Sequence, residues 1–179
     1  MFTVPLGEGA ELQPLEPWQA AEFAAYIAEH RAHLAPWLPW AVSITDQEGA
    51  RAFLQRYADG QAGDTRRVYA LRLDGALVGG CLFRVFDVPT GTCEIGVWLS
   101  PDAEGRGLIT HACRELIRWA FEVRGMTRIE WHCVPHNKRS IAVAERLGMT
   151  PEGTLRQAFS FNGETHDVQI WSLLPTDPH

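Results

Sequence analysis

The segment that most constrains the fold of this chain is a glycine-containing loop, SPDAEGRGLIT at positions 100–110. The residues before it, GTCEIGVWL, are strand-like, and the following HACRELIRWAFEVRG has apolar residues at helical spacing. A strand that enters a helix through glycines brings free backbone N–H groups and the positive end of the helix dipole together, which suits an anion. An ordinary glycine turn has the same pattern, and neither P-loop nor Rossmann glycine spacing is present. The loop alone is therefore weak evidence for a phosphate site.

Short strands and amphipathic helices account for the rest of the chain. An edge strand is predicted at Glu11–Glu16, and helices follow from Pro17 onward. Three consecutive antiparallel strands are predicted between positions 67 and 100. After the glycine loop and its helix come a strand (TRIEWHCV), a helix (NKRSIAVAERLG) and two strands joined at Asn162-Gly163. This order predicts an α/β (α+β) fold with a mixed sheet and one strand–loop–helix–strand crossover.

Composition excludes several classes of protein. A length of 179 residues with 46% hydrophobic residues predicts one domain, residues 1–179, with a substantial core. The net charge of −6 argues against the broad basic surface that nucleic-acid binding needs. No stretch approaches the roughly 18 apolar residues of a membrane span, and the N-terminus does not resemble a signal peptide. The 4 cysteines form no CxxC pair, so we expect reduced, mostly buried thiols and a cytoplasmic protein.

A second motif, PHNKRS at positions 135–140, opens the last predicted helix, where Asn137 is a good N-cap. Taken with the glycine loop, it resembles the GNAT superfamily of acetyl-CoA-dependent N-acetyltransferases, in the branch of the RimJ/RimL ribosomal-protein acetyltransferases. EIGVWLSPDAEGRGLIT is similar to the family's signature strand and pyrophosphate loop, and NKRSIAVAERLGMTPEGTLR to its second conserved region. The early HLAPWLPW is also similar to a segment frequent in this branch. The resemblance covers nearly the whole chain.

The resemblance implies a single GNAT domain with a seven-stranded, mostly antiparallel sheet that splays between its fourth and fifth strands. Acetyl-CoA, with no metal, would lie in that gap. Backbone groups of Val97 and Leu99 would pair with the pantetheine arm, and Asn137 would contact the cofactor from the opposite side. The pyrophosphate would be held by the amides of the loop: Gly105, Arg106, Gly107, Leu108, Ile109 and Thr110.

Three positions depart from the family pattern. Glu104 replaces the usual Gln or Arg at the start of the loop, and its carboxylate should weaken diphosphate binding unless the side chain points away. Ile109 replaces a Gly or Ala that closes the motif. Ala144 occupies the position where many relatives carry a tyrosine that protonates the leaving thiolate, so acid catalysis from that position is excluded.

Two residues are candidates for proton transfer. Glu94 lies in the strand that enters the loop, where it could take the proton of the amine through a water. A strand-end charge facing solvent is an equal alternative from the residues alone, and the resemblance favours the catalytic role. Ser140, one helical turn beyond Asn137, could donate to the thiolate sulfur, or it could be an ordinary serine of a first helical turn.

Trp37 and Trp40, each next to a proline, form an aromatic corner that is more often core. The resemblance instead implies that they lie beside the acceptor. Asp167 could be an acceptor-side carboxylate, although a structural hydrogen bond is favoured. A metal site at His132, Cys133 and His136 is not expected, because the first two point to opposite faces of a strand.

By analogy with this branch, the acceptor is a protein N-terminal α-amino group, in a ribosomal or another protein, and it attacks acetyl-CoA directly in a ternary complex. A small-molecule acceptor (an aminoglycoside, a polyamine or an amino acid) is the alternative, which the acidic charge balance favours slightly. A non-catalytic CoA-binding sensor is a third hypothesis. Glu104 and the missing tyrosine motivate it, and Asn137, Ser140 and Glu94 argue against it. The tryptophans could fill the core or line an interface, so a homo-oligomer stays open.

Overall fold

Eight strands form one mixed sheet in the computed structural model of the protein, which describes residues 3–178. In chain order the strands are β1 (Val4–Gly7), β2 (Ala10–Pro14), β3 (Arg67–Leu73), β4 (Ala76–Asp87), β5 (Thr92–Leu99), β6 (Arg128–Cys133), β7 (Thr150–Phe161) and β8 (Glu164–Leu173). The α-helices are α1 (Ala20–Leu34), α2 (Pro39–Ser43), α3 (Gln47–Ala62), α4 (Leu108–Arg118) and α5 (Lys138–Arg146). The spatial order is β1-β2-β3-β4-β5-β6-β8-β7. Among the described strands only β5 and β6 pair in parallel.

The fold class predicted from the sequence is confirmed, but the count of seven strands is wrong by one. The additional strand is β1, which pairs with β2 through Val4 and Leu12 and through Pro5 and Glu11. It was missed because four residues, VPLG, are too few to show a period-two pattern. The gap that the resemblance placed between the fourth and fifth strands consequently lies between β5 and β6.

Side chains alternate across the sheet and so divide the interior into two cores. One core contains Cys93 and Ile95 of β5 together with the buried faces of α4 and α5. The other contains Trp98 of β5 and the buried faces of α1 and α3. In this second core the Trp98 ring lies 6.2 Å from Phe23 and 5.4 Å from Trp40. A single strand, β5, therefore contributes to both layers of helices.

The helix after the glycine loop is shorter than the amphipathic run of the sequence. Regular α-helix stops at Arg118, and a π turn covers Trp119–Val123, where the N–H of Arg124 donates to the carbonyl of Trp119 at 3.1 Å. The Trp119 ring packs on Phe86, with the guanidinium groups of Arg67 and Arg124 lying 5.0 and 5.2 Å from its centre. This packing holds the C-terminal end of the crossover helix against the sheet.

The four cysteines are buried and free, which confirms the expectation of reduced thiols. In residues 3–178, no helix combines the length and the apolar character that crossing a membrane would require.

Gly80 of β4 allows the Trp98 ring to lie directly on the sheet. A Cβ at this position would lie 2.2 Å from Cζ2 of Trp98 and 2.4 Å from the carbonyl oxygen of Tyr69. Because both neighbours are buried, we expect Gly80→Ala to lower the free energy of unfolding by about 2 kcal/mol in urea denaturation. Gly153→Ala is the matched control, since a Cβ there has no atom within 4 Å. Equal stability of the two variants would contradict this account.

Candidate active site

A cleft of about 1190 Å³ opens where β5 and β6 separate. The two strands pair in parallel only from Thr92–Glu94 to Arg128–Glu130. Beyond Glu94, β5 keeps its antiparallel partner β4 on one side and borders the cleft on the other. The split thus leaves a stretch of strand edge available to an extended ligand.

Val97 and Leu99 lie on this stretch of β5 and both line the cleft. Their backbones pair on the β4 side with Cys81 and Gly79. The strand therefore brings to the cleft the residues for which the resemblance implied backbone contacts with a pantetheine arm.

The glycine loop closes one end of the cleft. Gly105 and Gly107 have φ of +77° and +72°, a left-handed conformation that glycine adopts without strain. Gly107 is the N-cap of α4 and supplies no side-chain cap, so the first amides of the helix are available to an anion. Four more positions of the loop were predicted to contact the cofactor, and Leu108, Ile109 and Thr110 line the cleft, whereas the exposed Arg106 is outside its lining.

The carboxylate of Glu104, unexpected beside a phosphate site, is neutralised by two neighbours. Its Oε1 accepts a hydrogen bond from Nη1 of Arg139 at 3.0 Å and lies 3.3 Å from Nε2 of His33. Because its carboxylate is engaged in these contacts, Glu104 repels a bound anion less than a free carboxylate would. The departure from the family pattern is thus compensated from α1 and α5, which the loop sequence could not indicate.

Asn137 caps α5 as predicted. Its Oδ1 accepts a hydrogen bond from the backbone N–H of Ser140 at 3.1 Å. Asn137 also lines the cleft. The cap fixes the first turn of α5 and therefore the position of the Ser140 hydroxyl.

The Ser140 hydroxyl lies in a small polar group at the base of the cleft. Its Oγ accepts a hydrogen bond from Nε1 of Trp131 at 2.9 Å, and the Cys133 thiol lies nearby. Burial raises the pKa of that thiol, and the contact with Ser140 opposes the rise. Because Trp131 donates to this oxygen, the hydroxyl proton is left to donate to another acceptor.

Glu94 is buried, and its carboxylate forms a two-pronged pair with Arg84 of β4. Nε of Arg84 donates to Oε1 at 2.6 Å and Nη2 donates to Oε2 at 2.5 Å. The sequence left open that Glu94 is a solvent-facing charge at the strand end. Its side chain is only 10% exposed, which excludes that alternative. Tyr57 lines the cleft with this pair, and burial raises the pKa of its phenol.

His132 connects Glu94 to a second carboxylate. Its Nδ1 lies 3.6 Å from Oε2 of Glu94, and its Nε2 lies 2.9 Å from Oε2 of Glu130. Arg128 in turn donates to Glu130 at 2.7 Å. A chain of ionisable groups consequently runs from the buried end of the cleft along β6.

Aromatic rings also line the cleft. Trp37 lies 5.5 Å from His136, and His136 lies 5.6 Å from His166 of β8. Trp40 also borders the cleft, but it packs at 5.7 Å on both Phe23 and Phe53 in the core. Trp37 is therefore the more accessible of the two predicted acceptor-side tryptophans.

Asp167, the other acceptor-side candidate from the sequence, takes part in a structural hydrogen bond instead. Oδ1 of Asp167 accepts a hydrogen bond from the backbone N–H of Gln157 at 2.8 Å, within the β7–β8 hairpin, and Asp167 is not part of the cleft lining. In residues 3–178 no group of three or more His, Cys, Asp or Glu side chains is arranged to hold a metal ion.

Sequence reasoning missed Arg84, Tyr57 and Trp131 as neighbours of the candidate residues. They come from β4, α3 and β6, and no local motif marks them. Arg84 is directed to Glu94 by a register shift between Phe83 and Val85, which only strand pairing reveals.

Comparison with known proteins agrees with this geometry. A model of the acetyltransferase (GNAT) domain matches residues 11–150. YdaF of Bacillus subtilis (strain 168), provisionally named a ribosomal N-acetyltransferase, is 33% identical over 97% of this chain and 96% of its own length. The ribosomal-protein-serine acetyltransferase of Escherichia coli (strain K12) is 25% identical over 96% of each chain. RimL, a ribosomal L7/L12 alpha-N-protein acetyltransferase solved with coenzyme A, has the same fold, with a TM-score of 0.90, 24% identity and coverage of 96% and 97%.

The cap of α5 provides a test of the local structure of the site. We expect Asn137→Ala to cost about 1 kcal/mol of unfolding free energy, because the N–H of Ser140 loses its acceptor. Asn137→Asp retains an acceptor oxygen and should stay close to the wild type. Urea denaturation of both variants measures the difference, and equal losses would show that the cap bond contributes nothing.

Proposed function

Because this chain belongs to the GNAT acetyltransferase family and is an acetyl-CoA-dependent N-acetyltransferase, we propose that it acetylates the N-terminal α-amino group of a protein. Two similar proteins are named for such activity: one as a ribosomal-protein-serine acetyltransferase, the other as an L7/L12 alpha-N-protein acetyltransferase. The observation that carries the proposal is one continuous cleft with a glycine-bounded helix start at one end and a buried carboxylate at the other. The whole chain, residues 1–179, acts as one domain in the cytoplasm.

The residues around the cleft suit acetyl-CoA. The free amides at the start of α4 would hold the pyrophosphate, and the exposed edge of β5 at Val97 and Leu99 would pair with the pantetheine arm. Asn137 would contact the cofactor from α5. The compensation of Glu104 by Arg139 supports this assignment, because it offsets the carboxylate next to Gly105 that would oppose a diphosphate. Acetyl-CoA supplies the acetyl group as an activated thioester.

We further propose that the amine attacks directly in a ternary complex, which requires one proton to leave the amine and one to reach the departing sulfur. Glu94 takes the amine proton through a water, since each carboxylate oxygen accepts one hydrogen bond from Arg84 and keeps a lone pair for a further donor. His132, with Nδ1 at 3.6 Å from Glu94 and Nε2 at 2.9 Å from Glu130, is the next carrier toward the surface. The backbone N–H groups near Val97 polarise the thioester carbonyl, a contribution of about 3 kcal/mol per donor.

Ser140 supplies the proton that the departing sulfur needs. Its oxygen accepts a hydrogen bond from Trp131, which leaves the hydroxyl proton as a donor. An incoming CoA sulfur in the same part of the cleft would receive the same donor. This replaces the tyrosine of many relatives, whose position is occupied here by the fully buried Ala144.

The proposed function is tested by combining the protein with acetyl-CoA and a panel of amines. We expect calorimetric binding of acetyl-CoA and release of free thiol with peptides that have a free N-terminus, with product mass increased by one acetyl group at the α-amine. Peptides with a blocked N-terminus and an internal lysine are the control. Acetylation of polyamines or aminoglycosides without peptide turnover would overturn the protein acceptor. Binding of acetyl-CoA with no turnover of any amine would favour the third hypothesis, a non-catalytic CoA-binding sensor.

The two proton-transfer roles predict different pH profiles. Glu94→Gln should lower the acetylation rate most at low pH, where the amine is protonated and a base is needed. Ser140→Ala should lower the rate by a similar factor across the pH range while leaving the affinity for acetyl-CoA unchanged. Stopped assays of thiol release at a series of pH values measure both. An unchanged profile for Glu94→Gln removes it as the base, and wild-type turnover in Ser140→Ala leaves that residue a helix-start serine.

A further inference from the structure

The cleft contains no uncompensated carboxylate among the residues that the structure describes. Three arginines, two glutamates and four histidines line it: Arg84, Arg139, Arg146, Glu94, Glu104, His33, His132, His136 and His166. Glu94 is held by Arg84, and Glu104 is held by Arg139 and His33. The cleft is therefore richer in cationic groups than the chain, whose net charge is −6. A polycationic acceptor would have no free anionic partner in it.

Arg84 has one side of its guanidinium left for a ligand. Phe83 pairs with Ile95 and Val85 pairs with Glu94, so Arg84 is the extra residue of a β-bulge, a device that redirects a side chain. Nε and Nη2 bind Glu94, and Nη1 takes no part in that pair. The Arg84 side chain is 57% exposed, in contrast to its buried partner. The pair thus fixes the guanidinium in place and leaves Nη1 unused on a side chain that lines the cleft.

The contact with Glu94 also determines how far Nη1 of Arg84 lies from the acceptor amine. Glu94 is the residue proposed to take the proton of the acceptor amine, and Arg84 is in direct contact with it. A carboxylate bound to Nη1 of Arg84 would consequently lie one or two residues from the reacting N-terminus. His132, which contacts Glu94 from the β6 side, adds a further cationic group to this part of the cleft when it is protonated.

We propose that Arg84 selects acceptors with a carboxylate next to the reacting amine, so that the substrates are protein N-termini with Asp or Glu at the second or third residue. The inference rests on the proposed function and specifies its substrate class. Arg84 binds the acidic side chain through Nη1 while Nε and Nη2 remain on Glu94. A lysine at the same position would meet the N–H donors of Nη1, which offer its ammonium group no acceptor.

The test uses three peptides that differ only at the second residue: Ser-Glu, Ser-Gln and Ser-Lys followed by a common sequence. With the wild type we expect kcat/KM for the Glu peptide to exceed that for the Gln peptide by about tenfold, since hydrogen bonds to charged groups contribute this much, with most of the difference in KM. The Lys peptide should be poorer than both. Arg84→Gln should bring the Glu-to-Gln ratio to about one.

Arg51→Gln is the matched control, because it removes the same charge from an exposed position of α3 outside the cleft lining. It should keep the wild-type ratio. Arg84→Lys preserves the charge but not the fork geometry, so it should give an intermediate ratio. Thermal unfolding of each variant reports folding, and if Arg84→Gln does not fold, the wild-type ranking and Arg84→Lys decide.

The outcomes separate this inference from the function on which it rests. Equal turnover of the three peptides by the wild type, or an unchanged ratio in Arg84→Gln, overturns the role of Arg84 and leaves N-terminal acetylation standing. A preference for the Lys peptide overturns it as well. Turnover of cationic small amines without turnover of any peptide overturns both.

Discussion

The separation of β5 from β6 is the constraint on which the rest of the site depends. These parallel neighbours share only the pairs from Thr92–Glu94 to Arg128–Glu130. Backbone groups at an unpaired strand edge need another hydrogen-bonding partner, and the extended arm of a ligand provides one. The starts of α4 and α5 flank the gap, so one opening in the sheet brings the first turn of α4, a strand edge and the Ser140 hydroxyl to the same cleft.

Ion pairs reconcile an acidic chain with a site for an anionic cofactor. Glu104 would oppose a diphosphate if it were free, and Arg139 of α5 neutralises it. Glu94 would be costly to bury alone, and Arg84 compensates it from the neighbouring strand. In both cases the partner comes from another element of the fold, and in the second the partner, Arg84, lines the cleft with a side chain that is 57% exposed.

The parts of this molecule that were predictable depend on local physics. The cap by Asn137 needs only an acceptor three residues before an amide, and the left-handed backbone at Gly105 and Gly107 needs only residues without a Cβ. Strand β1 was missed because four residues have no recognisable period. The side chains around Glu94 were missed because Arg84 and His132 reach it through strand register, which has no local signature.

By itself the sequence determined the order of helices and strands, the glycine loop before α4 and the capped start of α5, because turns, caps and side-chain periodicity act over a few residues. The likeness of these motifs to a known family was also readable without coordinates. Only the tertiary structure decided which charges meet, namely Glu104 with Arg139 and Glu94 with Arg84. Electrostatic compensation depends on distances between residues far apart in the chain, and those distances exist only once the sheet has formed.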